Sequence, residues 1–133
     1  MTAKVIYEGQ LRTRMTHLYS GTEVITDAPL DNHGLAQAFS PTDIVATGLA
    51  SCMLTVMGIK ARDMSVDITG TTAEVTKVMA VEPRRISEVH VTLTFPKNNY
   101  TDKEKTILEN TAKTCPVAHS LHPDIKQVLQ FVW

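Results

Sequence analysis

The sequence predicts a globular fold that mixes β-strands and helices, and three observations support this class. Two blocks of the chain, one before residue 28 and one ending at Phe95, alternate side chains with the period of a strand. Between them, residues 44–59 carry no charge and repeat apolar side chains at helical spacing. With 133 residues, of which 43% are apolar, the chain can bury a core, and we expect a single domain over residues 1–133.

Charge and composition exclude several classes of function. The chain has 13 basic and 14 acidic residues, a net charge of −1, and no basic stripe or acidic tail. Nucleic acids and anionic membranes are therefore poor candidate partners. The first residues lack an apolar segment with a cleavage site, so we expect no export signal and a cytoplasmic location, where thiols stay reduced.

The first 39 residues are expected to form strands and then a loop. A weak period of two runs over residues 5–12, and residues 24–26 follow a turn signal at Ser20 and Gly21. This pattern predicts two or three antiparallel strands before residue 28. Proline, glycine, aspartate and asparagine then interrupt any periodicity, which predicts a loop over residues 28–39.

A helix start follows at Ser40. Serine is a preferred N-cap, Pro41 suits the first helical position, and Asp43 lies where a capping box has its acid. The apolar repeat predicts a helix of about 20 residues, ending near Lys60 and Arg62, whose charges favour a helix C-terminus. The charge-free stretch is shorter than the ~20 residues that cross a bilayer, so we expect a buried helix of a soluble protein.

The remaining chain predicts more strands and a second helix. Alternation over residues 64–68, 73–80 and 89–95 predicts strands, the last being the clearest, with a turn at 82–85. Thr101 and Glu104 form a capping-box pattern at the start of a helix. Pro116 breaks that helix after Cys115, and a short helix is expected to continue through Leu121. Residues 125–133 are ambiguous between helix and strand.

The two cysteines, Cys52 and Cys115, are the candidate reactive groups. A thiol is nucleophilic as thiolate, and an unperturbed cysteine is only ~3% ionised at pH 7. Cys52 lies about 17 Å along its helix, too far for the helix dipole to act, so an arginine from elsewhere in the fold is required. Cys115 precedes Pro116 and can cap a new helix, where free N–H groups favour an anion. Local physics therefore predicts Cys115 as the more acidic thiol.

Two alternatives stand beside this hypothesis. Both cysteines can be inert core residues, since free cysteine is among the most buried residue types. Cys115, His119 and His122 can also approach one face of a short helix as zinc ligands, although a closed structural site needs a fourth.

Two segments around the cysteines resemble the two cysteine motifs of the OsmC/Ohr family. These are Ser40–Val45 with Leu49–Cys52, and Thr114–Val117. The resemblance extends over nearly the whole chain, in order, to the Ser20-Gly21 turn, the segment 83–86 and the strand ending at Phe95. It implies an α+β fold in which two chains intertwine as a homodimer, with antiparallel sheets wrapped around long central helices and active sites at the subunit interface. No metal or organic cofactor is implied.

The resemblance also implies a thiol peroxidase. Cys52 would attack the terminal oxygen of an organic hydroperoxide and become a sulfenic acid. Cys115 would condense with it to a disulfide that a dithiol reductant then opens, in agreement with the oxidation chemistry of paired thiols. An arginine of the N-terminal hairpin, Arg12 or Arg14, would stabilise the thiolate. An apolar helix around Cys52 would favour bulky organic peroxides.

One position departs from the family pattern. Family peroxidases place a glutamate directly after the proline of the first motif, where it orients the arginine, whereas this chain has Thr42 there and its acid, Asp43, one residue later. Asp43 is either the capping partner of Ser40 or the orienting acid. The departure favours, as an alternative function, a non-enzymatic dimeric protein that senses redox state or binds a small molecule with little turnover.

Overall fold

The structure, a computed structural model, describes residues 1–133. It contains six strands, three α-helices and one short 3-10 turn at Leu30–Asn32. The strands are β1 (Ala3–Gly9), β2 (Arg12–His17), β3 (Glu23–Asp27), β4 (Thr72–Val81), β5 (Arg84–Thr94) and β6 (Lys126–Val132); the helices are α1 (Pro41–Asp63), α2 (Asp102–Lys113) and α3 (Pro116–Ser120). The chain divides into two compact units, an amino-terminal unit of residues 1–45 and a carboxy-terminal unit of residues 46–133.

The amino-terminal unit contains a three-stranded antiparallel sheet in the order β1-β2-β3. This confirms the strands predicted before residue 28, and the predicted loop follows them. The β2–β3 register sets Arg12 opposite Asp27. The loop packs tightly at Gly34, because a Cβ there would lie 1.6 Å from the carbonyl oxygen of Ala28. Only glycine fits that close approach.

The amino-terminal sheet leaves apolar side chains uncovered. Val5, Met15 and Val24 are cross-strand neighbours on one face of the sheet. Val5 is 60% exposed and Tyr7, on the same strand, 64% exposed. The buried residues of this unit are polar (Thr26, Asp27 and Ser40), so the apolar face of its sheet forms no core within the chain.

The long helix α1 starts with the predicted capping box. The hydroxyl of Ser40 accepts a hydrogen bond from the Asp43 N–H at 3.1 Å, and the Asp43 carboxylate accepts one from the Ser40 N–H at 2.8 Å. The helix runs for 23 residues and ends one residue beyond Arg62. By length and composition it could span a membrane, but Leu49 and Met53, among others, lie in the apolar core of the carboxy-terminal unit. One side of α1 therefore packs in the core, as predicted, whereas the rest of its apolar surface is not buried within the chain.

The second sheet has the order β4-β5-β6 and corrects the expectation of antiparallel sheets throughout. The strands β4 and β5 are antiparallel, whereas β6 pairs with β5 in parallel. Parallel neighbours need a long crossover connection, and α2 and α3 provide it. The ambiguous tail of the sequence is thereby resolved as a strand.

The strand predicted over residues 64–68 is wrong. Ser65 has a left-handed backbone (φ 56°), and the Asp67 carboxylate accepts a hydrogen bond from the Thr69 N–H at 2.8 Å, which closes a turn. The alternation in the sequence has another cause, because Met64, Val66 and Ile68 are partly buried against the core without pairing to any strand.

The core of the carboxy-terminal unit forms between α1, α2 and the inner face of β5. The predicted alternation of β5 puts Val89, Val91 and Leu93 in this core, together with Leu108 of α2. An aromatic cluster closes one end: the Trp133 ring stacks on Phe95 with centroids 3.7 Å apart, and Tyr100 meets both rings edge-on. Cys52 lies on α1, and Cys115 lies between α2 and α3, so both cysteines are next to this core.

The capping box of α2 provides a test of the fold. Thr101 accepts a hydrogen bond from the Glu104 N–H, and Glu104 accepts one from the Thr101 N–H. We expect Thr101→Ala to lower the free energy of unfolding by about 1 kcal/mol, because both bonds of the cap weaken. Thr106→Ala, exposed on the same helix, is the control and should change it by less than about 0.5 kcal/mol. Equal effects in urea titrations would contradict the capping assignment.

Candidate active site: a pair of thiols

Cys52 lies midway along α1, and its side chain is half-buried against the core. The preceding residue, Ser51, is exposed, and the following one, Met53, is fully buried. Cys52 therefore occupies the border between the buried and open faces of the helix. A sulfur in that position is held by rigid neighbours and still has a route to solvent.

Cys115 lies at the break between α2 and α3 and is fully buried. A residue before proline is restricted to extended backbone, and Cys115 has φ −67° and ψ 148°. This conformation ends one helix and makes Cys115 the N-cap of the next. Its sulfur accepts a hydrogen bond from the Ala118 N–H at 3.3 Å, so the predicted capping role is confirmed.

The fold brings the two cysteines together, although they are 63 positions apart in the sequence. Both are free thiols, and the neighbouring Cys52 contributes to the raised pKa of Cys115. Both belong to the carboxy-terminal unit, where the core fixes α1 against the α2–α3 break. Two adjacent reduced sulfurs, one buried and one half-buried, can carry thiol–disulfide chemistry.

The prediction that capping makes Cys115 acidic is wrong. Burial raises the pKa of Cys115 above its ordinary value, because a thiolate loses its solvation in an apolar site. The Ala118 N–H lowers the pKa, as expected for a cap, but by less than burial raises it, and the neighbouring Cys52 raises it further. Cys115 is therefore held as a protonated thiol at neutral pH.

Arg12 is held by a buried acid. Its Nε and Nη2 atoms donate to the two oxygens of Asp27 at 2.7 and 2.9 Å, and Nη2 also donates to Oε1 of Gln37 at 3.2 Å. The Asp27 side chain is only 5% exposed and that of Arg12 34%. The guanidinium lowers the pKa of Asp27, so this acid is ionised at neutral pH and the pair is neutral overall.

Arg14, the second candidate, has a different environment. Its guanidinium donates to Glu8 at 2.6 Å and to Glu23 at 3.0 Å, all three side chains being at least partly open to solvent. Two carboxylates exceed the single charge of this arginine, so the cluster is net negative. A cluster of that sign repels a thiolate.

Asp43, the third candidate beside the cysteines, binds the backbone N–H of Ser40 as the capping partner of α1. Asp27 and Gln37 are not among the site residues that the sequence predicts. Asp27 ends a strand and Gln37 lies in a loop, and only the strand register and the loop path bring them to Arg12. The sequence around Asp27 does not indicate that its side chain pairs with an arginine 15 positions earlier.

The zinc alternative gains no support from the geometry. No three Cys, His, Asp or Glu side chains anywhere in residues 1–133 form a cluster that could hold a metal ion. His122 instead accepts a hydrogen bond from the Asp124 N–H at 3.1 Å, in an exposed turn.

The family model described as OsmC-like protein matches residues 33–129, and the chain belongs to that family. None of the curated proteins matches the sequence.

Solved structures agree on the fold. A Psychrobacter arcticus protein, assigned as an osmotic stress induced and detoxification response protein, is 62% identical, with a TM-score of 0.95 over 98% of this chain and 95% of that one. The organic hydroperoxide resistance protein OsmC of Legionella pneumophila is 16% identical, with a TM-score of 0.74 over 100% and 98% of the two chains. OhrB of Bacillus subtilis, an organic hydroperoxide resistance protein, is 17% identical, with a TM-score of 0.68 over 98% of each chain. These last two share the α+β fold.

The burial of Cys115 predicts unequal labelling of the two thiols. In native protein at pH 7, we expect iodoacetamide to modify Cys52 and to leave Cys115 unmodified, because its sulfur is buried and protonated. Because its pKa is raised, labelling of Cys115 should increase only as the pH becomes alkaline. Intact mass and peptide mapping measure both sites.

The matched control for this labelling is Cys52→Ser. It should take no label in native protein at pH 7 and one label in urea, where burial is lost. Rapid native labelling of Cys115 at pH 7 would contradict the buried thiol.

Proposed function

We propose that this protein is a cysteine-based peroxidase that reduces organic hydroperoxides as part of a redox-stress response. The main support for this proposal is the proximity of two free thiols, Cys52 and Cys115. Cys52 is half-buried and Cys115 is fully buried. Family membership and similarity to organic hydroperoxide resistance proteins support this function over inert core cysteines.

The first step belongs to Cys52, the peroxidatic nucleophile. Its thiolate attacks the terminal oxygen of the hydroperoxide, an S–O bond forms, and the O–O bond breaks. The alkoxide leaves and takes a proton from solvent to become the alcohol. Cys52 is then a sulfenic acid, oxidised by two electrons.

The second step belongs to Cys115, the resolving thiol. Its sulfur attacks the sulfenic acid, a disulfide forms, and the sulfenic hydroxyl leaves with a proton as water. Negative charge on Cys52 contributes to the raised pKa of Cys115. A neutral sulfenic acid removes that charge, so Cys115 ionises more readily once Cys52 has been oxidised. A dithiol reductant then opens the disulfide by exchange and restores both thiols.

Arg12 is the proposed stabiliser of the Cys52 thiolate, rather than Arg14. The pair of Arg12 with Asp27 is neutral, and the guanidinium has hydrogen-bond donors beyond those that Asp27 and Gln37 engage. Arg14 lies between two carboxylates, a net negative cluster. Asp43 contributes by fixing the start of the helix that bears Cys52. No metal or organic cofactor takes part in the proposed cycle.

The working unit is proposed to be a homodimer of one OsmC-like domain per chain. The amino-terminal sheet exposes Val5, Tyr7 and Val24, and α1 exposes Ile59 by 50%. Only a third of the most apolar window of α1 is buried within the chain. Soluble proteins seldom leave such apolar surface uncovered, and a second copy would cover it in the cytoplasm, the proposed compartment.

Peroxidase activity tests the proposed roles. Wild-type protein with a dithiol should consume cumene hydroperoxide, and Cys52→Ser should fall to the uncatalysed rate because the nucleophile is lost. Cys115→Ser should still reduce one equivalent of peroxide but should accumulate sulfenic acid instead of a disulfide. Serine keeps the N-cap of α3, which makes this variant a conservative one. Equal rates for wild type and Cys52→Ser would remove Cys52 from its role.

Mass spectrometry separates the peroxidase from a binding or sensing protein. One equivalent of peroxide should remove two hydrogens from the wild-type chain within seconds, and dithiol should return them. Thiols that stay reduced would favour the small-molecule binder, and oxidation without turnover would favour the redox sensor.

The dimer predicts a solution mass of about twice 14.7 kDa by light scattering. Ile59→Asp should shift the protein toward monomer, because it would bury a charge in the proposed interface between the α1 helices of the two chains. Val81→Asp, at a 90%-exposed position beside the β4–β5 turn, is the matched control and should leave the mass unchanged. A monomeric wild type would contradict the proposed assembly.

A further inference from the structure

Gln127 is a polar residue on the face of β6 that turns toward the core. Leu129 and Phe131, which follow on the same face of the strand, pack against that core, and Gln127 itself is half-buried. A buried polar group is costly unless it is hydrogen-bonded. The contact made by its amide therefore explains why this position of the strand is not apolar.

The amide of Gln127 joins β6 to α3. Its Nε2 atom donates to the carbonyl oxygen of Ala118 at 3.0 Å, and this hydrogen bond connects α3 to the sheet. A helix of five residues is too short to be stable by itself, so α3 depends on its tertiary contacts. Val117 and Leu121 supply apolar contacts, and Gln127 supplies the directional one.

The residue that Gln127 binds also contacts the buried cysteine. The Ala118 N–H donates to the sulfur of Cys115 at 3.3 Å, while the Ala118 carbonyl accepts from Gln127. The N–H favours the thiolate and lowers the pKa of Cys115 against the larger effect of burial. Once the sulfur loses its proton, this hydrogen bond becomes charge-assisted and stronger. Gln127 is thereby linked through one residue to the ionisation of Cys115.

We propose that Gln127 is a positioning residue for the resolving step, which holds the Ala118 N–H on the sulfur of Cys115 while that sulfur attacks. In this step Cys115 gives up its proton and forms an S–S bond with the sulfenic acid of Cys52. The S–O bond breaks, and the hydroxyl leaves with a proton as water. The inference rests on the proposed peroxidase function and adds a residue that touches neither sulfur.

The ionisable neighbour that acts on the pKa of Cys115 is Cys52 of α1. In the resolving step Cys52 is a sulfenic acid rather than a thiolate. Lys113 of α2 and His119 of α3 are exposed. The core-facing side chains of β5 and β6 are uncharged: Val89, Val91, Leu93, Gln127, Leu129 and Phe131.

A single-turnover experiment separates the two chemical steps. One equivalent of cumene hydroperoxide is added without dithiol, and the reaction is quenched with acid. Intact mass then distinguishes the sulfenic acid, which gains an oxygen, from the disulfide, which lacks two hydrogens. Gln127→Met removes the donor and keeps the length of the side chain. We expect Cys52 to be oxidised at the wild-type rate and the disulfide to form about threefold more slowly at pH 7, because the Ala118 N–H is held less firmly.

The pH profile of disulfide formation provides a readout that a merely structural role would not change. A weaker bond from Ala118 disfavours the Cys115 thiolate, so Gln127→Met should move the midpoint of the profile upward by about half a pH unit. Above both midpoints, the two proteins should form the disulfide at similar rates. A purely structural defect would instead slow the step equally at every pH.

Gln130→Met is the matched control, because Gln130 is exposed on the outer face of the same strand. It should leave the rates of both steps and the midpoint unchanged. Circular dichroism verifies that the variants fold. Gln127→Leu, which places at position 127 the side chain found at position 129, repeats the test if Gln127→Met folds poorly.

The outcomes distinguish the inference from the function on which it rests. If wild-type protein forms the disulfide and Gln127→Met does so at the same rate, the positioning role is overturned and the proposed peroxidase stands. Slower oxidation of Cys52 in Gln127→Met, or an equal slowing of disulfide formation at every pH, would show a general structural effect and would also overturn the role. If the wild-type thiols stay reduced, the proposed function fails and the inference fails with it.

Discussion

The proximity of Cys52 to the buried Cys115 is the constraint on which the proposed chemistry of this protein depends. It exists because Pro116 ends α2 and forces extended backbone at Cys115, which turns the sulfur inward as the cap of α3. The same break lies in the crossover that returns the chain to the sheet as β6, parallel to β5. Packing of α1 and α2 in one core then determines which residue of α1 the sulfur meets.

The two cysteines differ in their exposure to solvent. Burial holds Cys115 as a protonated thiol, and this suits a residue that is needed only after its neighbour has been oxidised. Cys52 is half-buried, with a route to solvent, as a nucleophile for an external substrate requires. In the proposed cycle, loss of charge on Cys52 makes Cys115 easier to ionise, so the order of the two steps follows from their proximity.

Two acids in the first 45 residues, Asp27 and Asp43, make different contacts. Asp43 stabilises the first turn of α1 by binding the Ser40 N–H, and Asp27 binds the guanidinium of Arg12. The first task concerns the helix that bears Cys52, and the second concerns the proposed source of positive charge. Arg12 thus has a carboxylate partner in Asp27, although position 42 is a threonine.

Much of the local structure was determined by the sequence itself. Capping boxes at Ser40 and Thr101 predicted the starts of both long helices, and the alternation ending at Phe95 predicted β5, because caps and periodicity act over a few neighbouring residues. Tertiary structure decided the rest. Met64, Val66 and Ile68 alternate without being a strand, and the tail became a parallel strand only because a helical crossover delivers it to β5. The pairing of Arg12 with Asp27, the meeting of the two sulfurs and the raised pKa of Cys115 depend on strand register and burial, which bring together residues that are far apart in the chain.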